Sequence, residues 1–236
     1  MKCVLLWVVL TVGAANAVWG QSFCDSDGGA TPLLLVEHFI SADCAACWSA
    51  PQATPPAAQA MTIDWIVPSA QGDEAPLSAA AIREAQMRLD RLGQTEPTTS
   101  IITTTPVLGG SAYQLQVAHG LSVGAYVGAT IEFKTSGKAQ PSMPVTAWLL
   151  LVETLPAGVE GAQSEKNLVR NVLVSTWARA DERTEAGQSI FRELRPLSIA
   201  QGARAQRLRV MGWVQDASGQ VLSAAQSVCA TPIETP

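Results

Sequence analysis

Apolar positions along the chain fall into short runs separated by turn residues, and one stretch alone carries a clear helical period. Leu33 to Ile40 is nearly continuous in apolar residues, broken by Glu37 and His38. A short unbroken run of this kind predicts a central strand covered on both faces. Thr62 to Val67 predicts a second short strand, and the β-branched stretch Thr98 to Thr104 a third. Between them, Ser78 to Leu92 reads as a helix, with Ser78 as N-cap and Gly93 as the residue just past its end. Ile82, Ala85, Leu89 and Leu92 share one face, and Arg83, Glu84, Arg88, Asp90 and Arg91 fall mostly elsewhere.

From about residue 112 the pattern changes to β. Tyr126 to Lys134 ends in alternation, Val145 to Glu153 is strongly apolar, and Asn167 to Trp177 and Arg207 to Gln215 read as further strands. Asp216-Ala217-Ser218-Gly219 is a turn, and Gln220 to Ser227 returns as a hairpin partner. The expected organisation is an α/β domain over residues 30–115. A β-rich domain over 116–230, an antiparallel sheet or small sandwich, packs against it.

The first residues change the picture. Lys2, the apolar stretch Val4 to Val12 and the small-x-small sequence Ala15-Asn16-Ala17 have the layout of a secretory signal peptide over residues 1–17. The apolar stretch is short for a membrane span. The expected localisation is periplasmic or secreted, with no membrane span after signal cleavage. Composition then excludes several classes. Charged residues make up 15% of the chain and the net charge is −5, so no clustered Lys and Arg offer a surface for nucleic acid. Two histidines in 236 residues argue against Ser-His-Asp hydrolysis and a His-rich metal site.

Four cysteines follow the signal: Cys24, Cys44, Cys47 and Cys229. An even count in an exported chain points to disulfides, and four cysteines allow three pairings. The simplest joins Cys44 to Cys47 and makes Cys24–Cys229 a structural disulfide between the two ends of the mature chain. Closing so long a loop is worth roughly 4–5 kcal/mol in the chain-entropy treatment. Cys44 and Cys47 follow a strand at the spacing of a first helical turn, where unpaired N–H groups favour a thiolate. In that reading Cys44 attacks a partner's disulfide and Cys47 resolves the mixed disulfide. Zinc wants four ligands, and the remaining cysteines are remote in sequence. A permanently oxidised structural bridge and, more weakly, Cu(I) handling by the thiolates are the alternatives. The prolines at 51, 55 and 56 should keep any helix at the cysteines short or bent.

The segment Val36-Glu37-His38-Phe39-Ile40-Ser41-Ala42-Asp43-Cys44-Ala45-Ala46-Cys47 resembles the opening signature of a family of secreted bacterial proteins, domain-of-unknown-function family 1223. That signature is Glu-Leu-Phe-Thr-Ser, two residues, then Cys-Ser-Ser-Cys-Pro-Pro. Ile63-Asp64-Trp65, the helix Arg83 to Gly93, Asn167-Leu168-Val169-Arg170 and the hairpin from Val214-Gln215 to Ala224-Ala225 match more loosely. Trp48 stands where the family has proline, and the family's histidine is absent near Ile63. The resemblance implies an α/β thioredoxin-like domain followed by a β-rich part.

It also implies further site residues. Glu37 would be a buried acid behind the cysteine pair, taking a proton during exchange. His38, its neighbour on the strand, should point to the opposite face. Trp48, where the sequence departs from the family, reads on its own as a shield for the pair, an apolar surface for a partner or a packing residue. Thioredoxin-like folds hold a cis proline against their cysteines, and Glu96-Pro97 is the candidate partner-binding position, with Thr105-Pro106 second. His119 reads as an ordinary loop residue. The expected function is thiol–disulfide exchange with exported protein thiols or disulfides, needing no cofactor and no metal. The alternative is a non-catalytic binding or assembly subunit held by a structural disulfide.

Overall fold

The computed structural model describes residues 24–51, 59–136 and 140–229. The expected signal peptide and the prolines at 55 and 56 lie outside the described residues.

Strands dominate. In chain order they are β1 (Cys24–Asp25), β2 (Leu34–Ser41), β3 (Ala60–Val67), β4 (Ser100–Pro106), β5 (Tyr113–Val123), β6 (Tyr126–Thr135), β7 (Val145–Leu155), β8 (Lys166–Trp177), β9 (Arg183–Glu185), β10 (Gln188–Ser198), β11 (Leu208–Gln215), β12 (Val221–Gln226) and β13 (Val228–Cys229). Two α-helices accompany them among the described residues, α1 (Ala45–Ser49) and α2 (Arg83–Arg91). The strands form a six-stranded sheet, β13-β1-β5-β6-β10-β9, and a seven-stranded sheet, β12-β11-β7-β8-β3-β2-β4.

This overturns the expected α/β thioredoxin-like domain. β2 and β3 do run parallel across the connection that holds α1, and β3 meets β8 in parallel at Asp64 and Leu168. Every other pair of named strands is antiparallel. The physical reason lies in what covers the sheet. An α/β domain buries both faces of its strands under helices. Here β8 extends β2 and β3 through β7, β11 and β12, so one sheet draws strands from both halves of the chain.

The six-stranded sheet then covers one face of that extension. Val117, Ile131, Phe133 and Phe191 from it meet Leu149, Leu151, Val210 and Val214 from the other. On the opposite face, Trp148, Leu150, Val152 and Trp213 join Leu35, Phe39, Ile63 and Trp65 beneath Ala85 and Leu89 of α2. The apolar run of β7 is therefore buried on both sides by alternate residues. A third cluster gathers Ile40, Trp48, Ile66, Leu155 and Leu168 around α1, with Cys44 and Cys47 packed against it.

The helix pattern was legible at its end and less so at its start. Ser78–Ala80 forms a 3-10 turn, and α2 begins only at Arg83. Gly93 adopts φ +65°. The N–H groups of Gly93 and Gln94 donate to the carbonyls of Asp90 and Leu89, closing a Schellman motif that needs glycine there. No helix among the described residues is long and apolar enough to cross a membrane.

Candidate functional site

β2 delivers the chain to the cysteines. Its last residue, Ser41, accepts through its backbone carbonyl from Cys44 N–H, closing the turn between strand and α1. Ser41 Oγ also accepts from Asp43 N–H at 3.3 Å, and Ser69 Oγ donates to Asp43 Oδ1 at 2.6 Å. Cys44 caps α1, and Cys47 N–H donates to Cys44 Sγ at 3.2 Å. Cys44 and Cys47 form one disulfide, with Cα atoms 5.2 Å apart, and Cys24 and Cys229 form the other, spanning 205 positions. Both cysteines of the first pair are half-buried. α1 lasts five residues, so it supplies little of the helix dipole that the spacing promised.

A cavity of about 420 Å³ opens beside the pair. Cys47 lines it together with His38 from β2, Asp64 from β3 and Lys166 from the start of β8. Asp64 is the hub. Its Oδ1 lies 3.3 Å from His38 Nδ1 and 3.9 Å from Lys166 Nζ, and its Oδ2 accepts from Asn167 N–H at 2.8 Å. Lys166 is almost wholly buried, and its ammonium also lies 5.8 Å from the centre of the Trp48 ring. With Asp64 accepting at Nδ1, the lone pair of a neutral His38 ring lies on Nε2.

Glu37 goes elsewhere. Its side chain points to the α2 face of the sheet, where Arg88 donates to both carboxylate oxygens at 2.6, 2.9 and 3.1 Å. Arg88 also donates to Gln215 Oε1 at 3.0 Å and lies 5.3 and 5.0 Å from the ring centres of Trp148 and Trp213. The expected acid behind the cysteines is instead half of a buried ion pair that pins α2 to the sheet. His38 points the other way, as its strand position requires.

Trp48 is buried against the pair, and its indole N–H donates to the Glu160 carbonyl at 2.8 Å. Glu96 is exposed and accepts from Gln86 Nε2 at 2.8 Å. Pro97 is half-buried, and neither it nor Glu96 lines the cavity. Among the described residues the cis peptide is Met143–Pro144, not Glu96–Pro97 or Thr105–Pro106. Trp65 is a core indole stacked on Phe39 at 5.9 Å. His119, expected in a loop, is a buried strand residue of β5. Burial pushes its imidazole below the usual histidine value, and the Gly120 and Leu208 carbonyls oppose that in part.

Sequence reading did not foresee Lys166, and it gave no site role to His38 or Asp64, which the structure brings to the same cavity. For Lys166 the available signal was its place beside Asn167, at the opening of a segment already singled out. No family model and no curated protein matches the chain. Among solved structures it is similar to HBP35 of Porphyromonas gingivalis, with 13% identity and a TM-score of 0.46 over 89% of this chain and 79% of that one. At that level nothing is carried over from it.

Proposed function

We propose that this is an exported protein whose Cys44–Cys47 pair exchanges thiols and disulfides with exported protein partners. The observation that carries the reading is the placement of a half-buried cysteine pair on a cavity shared with His38, Asp64 and Lys166. The two disulfides accord with an oxidising compartment. The cysteine segment's resemblance to family 1223 fits the same reading, without its thioredoxin-like fold.

In the reduced protein, Cys47 N–H stabilises negative charge on Cys44 Sγ, which makes Cys44 the attacking thiolate. Attack on a partner disulfide forms the mixed disulfide and releases one partner thiolate. Cys47, facing the cavity, loses its proton to Nε2 of His38, and Asp64 holds the ring in position. The Cys47 thiolate then displaces the partner's second sulfur from Cys44. The pair ends as the disulfide, and the partner carries away two electrons as a dithiol. The reverse sequence oxidises a partner dithiol.

A Cys47→Ser protein tests this. It is expected to retain partner proteins on Cys44 as mixed disulfides that a reductant releases. If it retains no more than Cys44→Ser/Cys47→Ser does, the pair is a structural bridge and the chain is an assembly or binding subunit.

A further inference from the structure

The second disulfide has a neighbour that the exchange reaction does not use. β1 lies between β13 and β5, and its register places Cys24 opposite Cys229 on one side and His119 on the other. A ring nitrogen of His119 and the two sulfurs all lie within 4.8 Å of one another. Cys24 and His119 are 1% and 5% exposed and held within the sheet, whereas Cys229 on β13 is exposed.

The histidine is prepared in a particular way. Its Nδ1 lies 2.9 Å from the Gly120 carbonyl, so Nδ1 carries the proton that is donated there. Nε2 is buried with no hydrogen-bond partner of good geometry among the described residues, although the Leu208 carbonyl also lies near the ring and favours its protonated form. A buried imidazole oriented by a backbone carbonyl through one nitrogen, with the other unused, is the arrangement of a metal-binding histidine.

We propose that reduction of the Cys24–Cys229 disulfide converts this corner into a zinc site formed by Cys24, Cys229 and His119. A dithiol reductant supplies two electrons and two protons, leaves as its own disulfide, and produces two thiols. Zinc replaces the two thiol protons, which go to solvent, and takes the imidazole as third ligand and water as fourth. Sulfur and nitrogen ligands are those zinc selects. Bonds of about 2.3 Å to sulfur set neighbouring ligand atoms about 3.8 Å apart in a tetrahedron, which small side-chain movements reach from here. The metal would hold β1 and β13 together in place of the covalent bond, so the two ends of the fold stay joined in both redox states.

The test uses the Cys44→Ser/Cys47→Ser protein, reduced with a phosphine, freed of it without air and titrated with Co²⁺. One cobalt per chain should bind with a thiolate-to-cobalt absorption band and be displaced by Zn²⁺. His119→Gln in the same background should weaken binding about tenfold or more. The absence of a thiolate band, or a band whose affinity ignores His119→Gln, overturns the proposal. Alkylation of the reduced natural sequence supplies a readout free of substitutions. Zn²⁺ should slow modification of Cys24 and Cys229, and equal rates with and without the metal overturn the site.

Discussion

Arg88 offers the sharpest test of how the structure holds α2. It is 2% exposed, and its partner Glu37 is fully buried. Replacing Arg88 by Met keeps most of the apolar stem but leaves the Glu37 carboxylate buried without a cation. Gln215 Oε1 still has the Trp213 indole N–H at 3.3 Å, so the cost falls on Glu37. Breaking one side of a buried pair costs about 3–5 kcal/mol. With a urea slope of about 2 kcal/mol/M, the unfolding midpoint should fall by about 1.5–2.5 M. Removing both charges, in Glu37→Leu/Arg88→Met, removes the uncompensated group and should recover most of that loss. Tryptophan fluorescence reports the transition, since Trp148 and Trp213 lie against the guanidinium. A midpoint shift below about 0.5 M for Arg88→Met, or a double variant less stable than the single one, would refute the reasoning. The double variant should also exchange thiols at the natural rate, because Glu37 faces away from the cysteines.

Three further outcomes follow from particular contacts. Gly212→Ala puts a Cβ 2.8 Å from the Trp148 carbonyl oxygen and 3.0 Å from Val117 between the sheets, so it should cost about 1–3 kcal/mol in urea unfolding. His38→Ala should slow resolution of a mixed disulfide by about 10²-fold near neutral pH in stopped-flow exchange, and an unchanged rate would remove His38 from the mechanism. Burial alone would raise the Glu132 carboxyl, but Lys134 and Arg192 outweigh it and hold the carboxyl below its ordinary value of 4.5. Its contribution is thus complete above that pH and disappears as pH falls through the lower folded value, a loss that Glu132→Gln should blunt in acid-unfolding curves.

Much of the strand inventory was legible in the sequence. The runs at Leu33, Thr62, Val145, Asn167 and Arg207 and the hairpin after Asp216 all stand where periodicity places them. The pairing of Cys24 with Cys229 and of Cys44 with Cys47 also follows the simplest expectation. What periodicity could not show is which strands share a sheet. An apolar run such as Val145–Leu155 reads the same under helices or between a sheet and a helix. The contact of Asp64 with Leu168, which joins the two halves, is set by tertiary packing alone. Gln188–Ser198 escaped notice because Arg192, Glu193 and Arg195 interrupt its apolar alternation.

At the site, the cysteine pair and the opposite facing of Glu37 and His38 were readable from spacing. The partner of Glu37 was not. Arg88 sits on the helix face that carries Ala85 and Leu89, and a charge there looks solvent-bound until Trp148, Trp213 and Glu37 are seen around it. Lys166 was hidden for the same reason, because its acid lies about a hundred residues away on β3.

The measurement that bears most directly on the exchange reading is the reduction potential of Cys44–Cys47, equilibrated against glutathione in Cys24→Ser/Cys229→Ser and in the natural sequence. Exchange within the potential range of working oxidoreductases, about −270 to −120 mV, is the predicted result in both proteins. A potential below about −300 mV, with no exchange under native conditions, would contradict it and leave the pair as a structural bridge.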